Sequence, residues 1–207
     1  MSFANRDALV AAVVGWLERS DVSTVAVDWV ALTEARLNRI LRVNRMVKRA
    51  SATITDEFSA LPSDFLAPRS MRLAAGDKRL LQYFTPEQMA EFKSASPSGE
   101  LQAYTVVGSE FEYGPAVPAG SEPVVVLTYF AAIPPLATGE STNWVLARYP
   151  DAYLHGCLAE AGAYLNDEEL IGRSGRVFAS AIEAMQDEDR HSNFAANLTP
   201  TPSAPAV

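Results

Sequence analysis

Apolar residues recur at helical spacing near the start of the chain and predict two helices there. The first covers residues 5–19, with Asn5 as its N-cap and with Leu9, Val13, Trp16 and Leu17 at helical spacing. The second runs from about Thr24 into the low forties. Its apolar side carries Val27, Val30, Leu37, Ile40 and Leu41.

Helical spacing returns towards the other end of the chain. "STNWVLARYPDAYLHG" predicts a short helical turn, capped by its serine or threonine, and then a helix that Pro150 opens and that reaches Leu165. Proline is favourable at a first helical position because the missing N–H would have no partner there. "NDEEL" begins the last helix, with its asparagine or aspartate as cap, and this helix is predicted to run to about Asp187.

Between these helical regions the pattern changes to strands. Alternating apolar positions and turn residues predict one hairpin that turns at Gly76-Asp77 and another that turns at Gly108-Ser109. In "TPEQMAEFK", Thr85 followed three residues later by Gln88 predicts a short helix with a capping box. The middle of the chain is therefore expected to form a small antiparallel sheet or barrel of about five or six strands.

The order of helices, sheet and helices predicts an α+β fold with about four main helices. We expect residues 1–45 and 137–190 to form one helical domain and residues 46–136 to form an inserted antiparallel β module. Residues 191–207 carry no Lys, Arg, Asp or Glu and contain three prolines. This composition predicts a flexible, extended C-terminal tail.

Charge is distributed unevenly along the chain, whose net charge is −8. Residues 1–50 carry eight Lys or Arg against five Asp or Glu, whereas residues 51–207 carry nine against twenty. A free-standing nucleic-acid binder is usually basic overall, and this chain is not. The basic excess lies in the second helix and just after it, at positions that include Arg36, Arg39, Arg42 and Arg45.

These arginines recur every three residues, so on a helix they spiral around the axis instead of forming one stripe. Three interpretations stay open: a solvated face, a contact with a neighbouring subunit, or a contact with a DNA backbone.

The segment "YPDAYLHGCLAEA" contains His155 and the only cysteine, Cys157. Two helical residues spaced this way are about 200° apart, so the two side chains point to opposite sides and cannot act together. Cys157 has apolar neighbours and is expected to be buried and inert. Asp151 and His155 are spaced to hydrogen-bond, but no candidate nucleophile recurs nearby.

Other motifs that carry chemistry do not occur. The chain has no P-loop, GxGxxG, GxSxG or HExxH motif, and its two histidines and one cysteine make no metal set. We therefore expect no catalytic, metal-binding or cofactor-binding residues, no cofactor and no enzymatic activity. No apolar run approaches the length of a membrane span.

Gly156, Ala159 and Ala163 fall on the remaining side of the same helix and form a strip with little side-chain bulk. Such a strip lets another helix approach closely. Two alternatives follow: both neighbours of this helix belong to the same chain, or one belongs to an adjacent subunit.

Several segments, taken in order, resemble the head-to-tail adaptor (connector) proteins of tailed bacteriophages and gene-transfer-agent particles. The resemblance covers roughly residues 5 to 187, and the fourth segment is its most specific part. The segments are "WVALTEARLNRILRV", "LPSDFLAPRSMRL", "YFAAIPPL", "TNWVLARYPDAYLHGCLAEAGAYLNDEEL" and "ASAIEAM".

The resemblance implies a structural virion protein. In that family a ring of subunits, usually twelve, docks under the portal at the capsid vertex, extends the DNA channel and presents a surface to tail or nozzle proteins. It implies the portal protein, tail or nozzle proteins and further copies of this chain as partners, with DNA only passing through and no membrane. Assembly in the host cytoplasm and a final place at the head-tail junction follow.

C-terminal extensions in that family reach into the portal, which implies a portal-docking role for the tail here. Phe194 and Leu198 would be its apolar anchors, and Pro200, Pro202 and Pro205 would lower the entropy lost on docking.

A cyclic ring needs a heterologous interface, in which one surface meets a different surface on the next copy. The basic second helix and the acidic residues Asp167, Glu168 and Glu169 supply complementary charges for it. We favour this contact over a lumenal DNA contact, because a conduit that gripped DNA would impede its passage. Two other functions are weighed: a tail or capsid accessory module that uses the β insert for recognition, and a small Cys or His hydrolase.

Overall fold

The computed structural model describes residues 3–76, 78–118 and 120–197, and within these ranges the chain forms two compact units. One unit contains the residues up to Asn44 together with those from Ile133 onward, and its regular elements are helices. The other unit, Arg45–Ala132, contains the strands and one helix. The mixed α+β class predicted from the sequence is confirmed.

The elements are numbered in chain order. The helices are α1 (Arg6–Leu17), α2 (Ala26–Ile40), α3 (Pro86–Ala95), α4 (Trp144–Arg148), α5 (Pro150–Leu165) and α6 (Glu168–Asn197). The strands are β1 (Val47–Thr53), β2 (Phe58–Ala60), β3 (Phe65–Leu73), β4 (Gln82–Tyr83), β5 (Ala103–Val107), β6 (Glu110–Gly114) and β7 (Val124–Ala131).

In the helical unit α5 is the central element, in contact with α1, α2, α4 and α6. Its sequence is apolar or small on nearly every side, which suits a helix with neighbours all around it. Tyr153, Leu158 and Cys157 are among its fully buried side chains. The α1 start follows the predicted capping rule, because the Asn5 side chain accepts a hydrogen bond from the Ala8 N–H at 3.0 Å.

The β unit is a pair of sheets packed around one apolar core. Sheet A has the order β1-β7-β3 and is antiparallel throughout. Sheet B has the order β2-β6-β5-β4. Alternate residues of the central strand β7 point inward and meet the aromatic side chains of sheet B. Buried members of this core include Met71, Leu127, Tyr129, Tyr104 and Phe111.

The sheets differ from the prediction in two respects. Among the described residues of this unit seven strands form, where about five or six were predicted, because β2 and β4 are only three and two residues long and leave little periodic signal. β4 also pairs with β5 in parallel, so the β unit is not wholly antiparallel. The predicted hairpin around Gly76 closes only through the isolated bridge between Arg72 and Leu80, and the chain then crosses to the other sheet.

Two helix ends also differ from the prediction. Asn143 caps α4 in place of the preceding serine or threonine. α6 continues to Asn197 instead of ending near Asp187, so the prediction of an extended tail from residue 191 is wrong for residues 191–197. Extending an existing helix gains a hydrogen bond per residue without a new nucleus, and no glycine or proline interrupts this stretch. Residues 198–207 lie outside the described residues.

Candidate functional site

Two polar side chains one turn apart on α2 hold the chain segment that follows β7. Glu34 Oε1 accepts a hydrogen bond from the Leu136 N–H at 2.8 Å, and Asn38 Oδ1 accepts one from the Ile133 N–H at 2.9 Å. A buried backbone N–H without an acceptor costs roughly 1–3 kcal/mol. These two side chains therefore fix the returning chain against α2.

Asn143 extends this hydrogen-bond network. Its Oδ1 caps α4 by accepting from the Leu146 N–H at 2.9 Å, while its Nδ2 donates to the Pro134 carbonyl at 2.8 Å and to the Tyr153 hydroxyl at 2.7 Å. The fully buried Tyr153 in turn donates to Glu34 Oε1 at 3.2 Å. Burial raises the pKa of both the Glu34 carboxyl and the Tyr153 hydroxyl.

We call Glu34, Asn38, Asn143 and Tyr153 the polar clamp. Its four side chains, together with the backbone they hold, come from three of the segments that carry the family resemblance. The sequence pattern alone does not predict the clamp. Its one local signal is a pair of polar residues four apart on a helix side that also holds buried apolar positions.

The arginines of α2 are not equivalent. Arg36 is held within the chain, because its Nη1 lies 3.2 Å from Glu160 Oε1 and its guanidinium lies 5.6 Å from the centre of the Phe178 ring. Arg39 and Arg42 are exposed and hydrogen-bond to main-chain carbonyls. Neither forms an ion pair within the described part of the chain.

The remaining predicted charges lie at two other places. Arg45 belongs to the β unit, where it is exposed. At the start of α6, Asp167 Oδ1 accepts from the Leu170 N–H at 2.9 Å and so caps the helix. Glu168 and Glu169 are exposed in the first turn, where the helix dipole favours negative charge, and among the described residues neither has an ion-pair partner.

The small-residue strip is mostly covered by the same chain. A Cβ atom added at Gly156 would overlap the Thr33 side chain of α2 and would lie 3.2 Å from Phe178 of α6. Ala159 is also buried, with 6% of its surface exposed, whereas Ala163 is exposed. Of this strip, only Ala163 is available to another subunit.

Cys157 and His155 lie against different helices. The Cys157 sulfur is buried beside the Thr33 hydroxyl of α2, and burial raises the pKa of the thiol to about 12. His155 is half-buried against Trp16 of α1, with ring centres 5.6 Å apart, and burial lowers its pKa. A thiol that stays protonated at neutral pH is not a nucleophile.

The described residues were also compared with the requirements of a metal site, a membrane span and a binding cleft. No group of three or more His, Cys, Asp or Glu residues is placed to hold a metal ion within the described ranges. None of the helices in the same ranges combines the length and the hydropathy that a bilayer span requires. Beside His155 an open cleft has mainly apolar walls, formed by Phe3, Trp16, Pro150 and Leu154.

The predicted tail anchors divide between two places. Phe194 lies in the last turns of α6. Leu198, Pro200, Pro202 and Pro205 lie outside the described residues.

The helical unit is closed by a hydrogen-bonded clamp, and the β unit carries exposed charged residues. The family model described as SU10 adaptor protein matches residues 4–201. The chain therefore belongs to this family and is a phage adaptor protein, which confirms the resemblance found in the sequence. No curated protein matched the sequence.

Proposed function

We propose that this chain is a non-enzymatic head-to-tail adaptor of the virion. It docks as a ring, of twelve copies, under the portal, extends the DNA channel and joins the capsid to the tail or nozzle proteins. Family membership across residues 4–201 is the observation that carries the proposal. Assembly takes place in the host cytoplasm, and the finished ring lies at the head-tail junction.

Exposed charged residues that form no ion pair in the described part of the chain support a ring interface in the helical unit. The basic residues are Arg39 and Arg42, and the acidic residues are Glu168 and Glu169 at the start of α6. None of the four forms an ion pair in the described part of the chain. Exposed pairs contribute only about 0.2–1 kcal/mol each, so their role is to select and orient the neighbour more than to hold it. Ala163 is the strip residue that remains available at this interface.

A pull-down with portal rings tests the docking role. We expect the full chain to co-sediment with its portal as a ring, and we expect Arg39→Glu combined with Arg42→Glu to abolish ring formation. Arg19→Glu, an exposed reversal in the turn before α2, is the matched control and should assemble normally. Binding to duplex DNA that disappears in the double variant, with ring formation unchanged, would instead assign these arginines to the lumen.

Docking of the C-terminal tail to the portal is tested separately. Deleting residues 198–207 should leave the fold unchanged and should weaken co-sedimentation with portal rings, because Leu198 and the prolines would be lost. Unchanged binding by the deletion variant would exclude portal docking by this segment.

The absence of catalysis is tested by replacing the two residues that resemble a reactive pair. Cys157→Ser and His155→Ala should leave particle assembly intact. The two side chains lie against different helices, Cys157 against α2 and His155 against α1, so they do not form a reactive pair. A measured catalytic activity that disappears in these variants would favour the hydrolase alternative.

A further inference from the structure

One sheet face of the β unit carries arginines and, among the described residues of its strands, no acidic side chain. Strands β1, β7 and β3 contain no Asp or Glu. The strand register places Arg49 opposite Thr128 and Arg72 opposite Val126, on the side of sheet A that points away from the core. Arg69 lies beside them, with its guanidinium 5.9 Å from the centre of the Phe130 ring. We call Arg49, Arg69, Arg72, Val124, Val126, Thr128 and Phe130 the cationic sheet face.

Apolar side chains run along the middle of this face. Val124 is 39% exposed, and Val126, Thr128 and Phe130 are half-buried, although β7 is the central strand of its sheet. α3, the α-helix of the described part of the β unit, packs on the other sheet. The central strand of sheet A therefore presents a mainly apolar, partly exposed row that is flanked by arginines.

The opposite side of the β unit is acidic. α3 lies on the outer side of sheet B, where a Cβ added at Gly114 would be 2.7 Å from the Met89 sulfur. Glu87 and Glu91 are exposed one turn apart on α3, and Glu110 is exposed on β6.

Next to these residues, Glu57 and Glu112 share the Lys93 ammonium group, with Lys93 Nζ 2.6 Å from Glu112 Oε1. Lys93 also lies over the ring of Phe58, which is 50% exposed. The five glutamates exceed the single lysine by four charges. We call Glu57, Glu87, Glu91, Glu110, Glu112, Lys93 and Phe58 the acidic helix face.

We propose that the cationic sheet face of one copy binds the acidic helix face of the next copy. The two faces lie on opposite sides of the same packed unit, because sheet A, the core, sheet B and α3 follow one another as layers. Two different surfaces on opposite sides form a heterologous contact, which each copy can make twice and which closes into a ring when the rotation permits. The inference rests on the proposed ring and identifies a second interface within it.

A protein partner fits this face better than nucleic acid does. Phosphate groups would pair with the arginines but would leave Val126 and Phe130 in water, whereas a helix face that carries Phe58 would cover apolar surface as well as charge. The net charge of −8 also opposes binding of the chain to a polyanion.

Cross-linking between two variants that each carry one added cysteine tests the contact. Full-length Ser51→Cys places a thiol on the outer side of β1, and full-length Ala90→Cys places one on the exposed side of α3. The native Cys157 is fully buried and does not compete. With a short bifunctional thiol reagent, we expect a mixed product of these two variants. Ser51→Cys mixed with Ser63→Cys, in the loop before β3, is the control pair.

Charge reversal tests whether the arginines of one face pair with the glutamates of the other. Arg49→Glu with Arg72→Glu on the Ser51→Cys copy should lower the mixed product on the order of ten-fold, because attractive pairs become repulsive ones. Glu87→Lys with Glu91→Lys on the other copy should restore it, which also shows that both reversed chains fold. A mixed product no greater than that of the control pair, no response to reversal, or displacement of the product by duplex DNA would overturn the inference.

The mass of the assembled species, from light scattering of the same samples, separates this inference from the proposed function. A ring of full mass without the mixed product contradicts only the pairing of these two faces. A chain that neither assembles nor co-sediments with its portal contradicts the proposed function itself.

Discussion

Replacing Asn143 by alanine is expected to weaken the helical unit strongly, because this one side chain makes three hydrogen bonds in the polar clamp. Its Oδ1 caps α4, and its Nδ2 donates to the Pro134 carbonyl and the Tyr153 hydroxyl. The residue is only 8% exposed, so water cannot readily replace the lost partners.

The size of the effect follows from these contacts. Loss of an N-cap typically costs about 1 kcal/mol, and each buried partner left without its hydrogen bond costs about 1 kcal/mol or more. The free energy of unfolding should therefore fall by about 2–4 kcal/mol. For a chain of this length, each kcal/mol corresponds to about 2–4 °C in Tm, so the melting temperature should fall by roughly 10 °C.

Tryptophan fluorescence during urea unfolding measures this change in the helical unit alone. All three tryptophans, Trp16, Trp29 and Trp144, belong to that unit. The matched control is Thr142→Ala, at an exposed neighbouring position, which should change the unfolding free energy by less than about 0.5 kcal/mol. If Asn143→Ala and Thr142→Ala unfold at the same urea concentration, the clamp does not stabilise the unit as argued.

Three further predictions concern side chains of the same unit. Gly156→Ala should lower the free energy of unfolding by about 1–3 kcal/mol, because the new methyl group would overlap the Thr33 side chain. Gly172→Ala has open space around the new methyl group and should raise the free energy of unfolding by about 0.5–1 kcal/mol. Equal shifts of the urea midpoint in the two variants would contradict this. Burial raises the pKa of Glu34 above its ordinary value of 4.5. At pH values between 4.5 and the folded-state pKa, the folded chain keeps this proton and the unfolded chain has lost it. The stability that this group contributes therefore falls as the pH rises from 4.5 through the folded-state pKa. Glu34→Gln should flatten the stability profile there, and an unchanged profile of unfolding free energy against pH would refute the assignment. Cys157 in the folded chain should resist thiol reagents at pH 8 and react fully in urea, and rapid labelling without urea would show that it is accessible.

Features of the fold that depend on neighbouring residues could be predicted from the sequence. Asn5 caps α1, Thr85 and Gln88 form the capping box of α3, and Gly108 turns the second hairpin with a positive φ of 61°. Each of these depends on backbone groups within a few positions, so the residue type alone indicates the geometry.

The clamp and the charged faces depend on contacts that a local pattern does not specify. Glu34 binds a backbone N–H 102 positions away and Asn38 binds one 95 positions away. A polar residue on an apolar helix side indicates a buried partner but does not identify it. Likewise, Arg49 and Arg72 share a face only because both strands pair with β7 in a particular register.

Electron microscopy of particles that carry a label on this chain tests the adaptor function most directly. The proposal predicts label at a single vertex, with a ring of this chain directly beneath the portal and tail or nozzle density below it. Label at the distal end of the tail, or distributed over the capsid surface, would contradict the head-to-tail adaptor and favour an accessory module that uses its β unit for recognition.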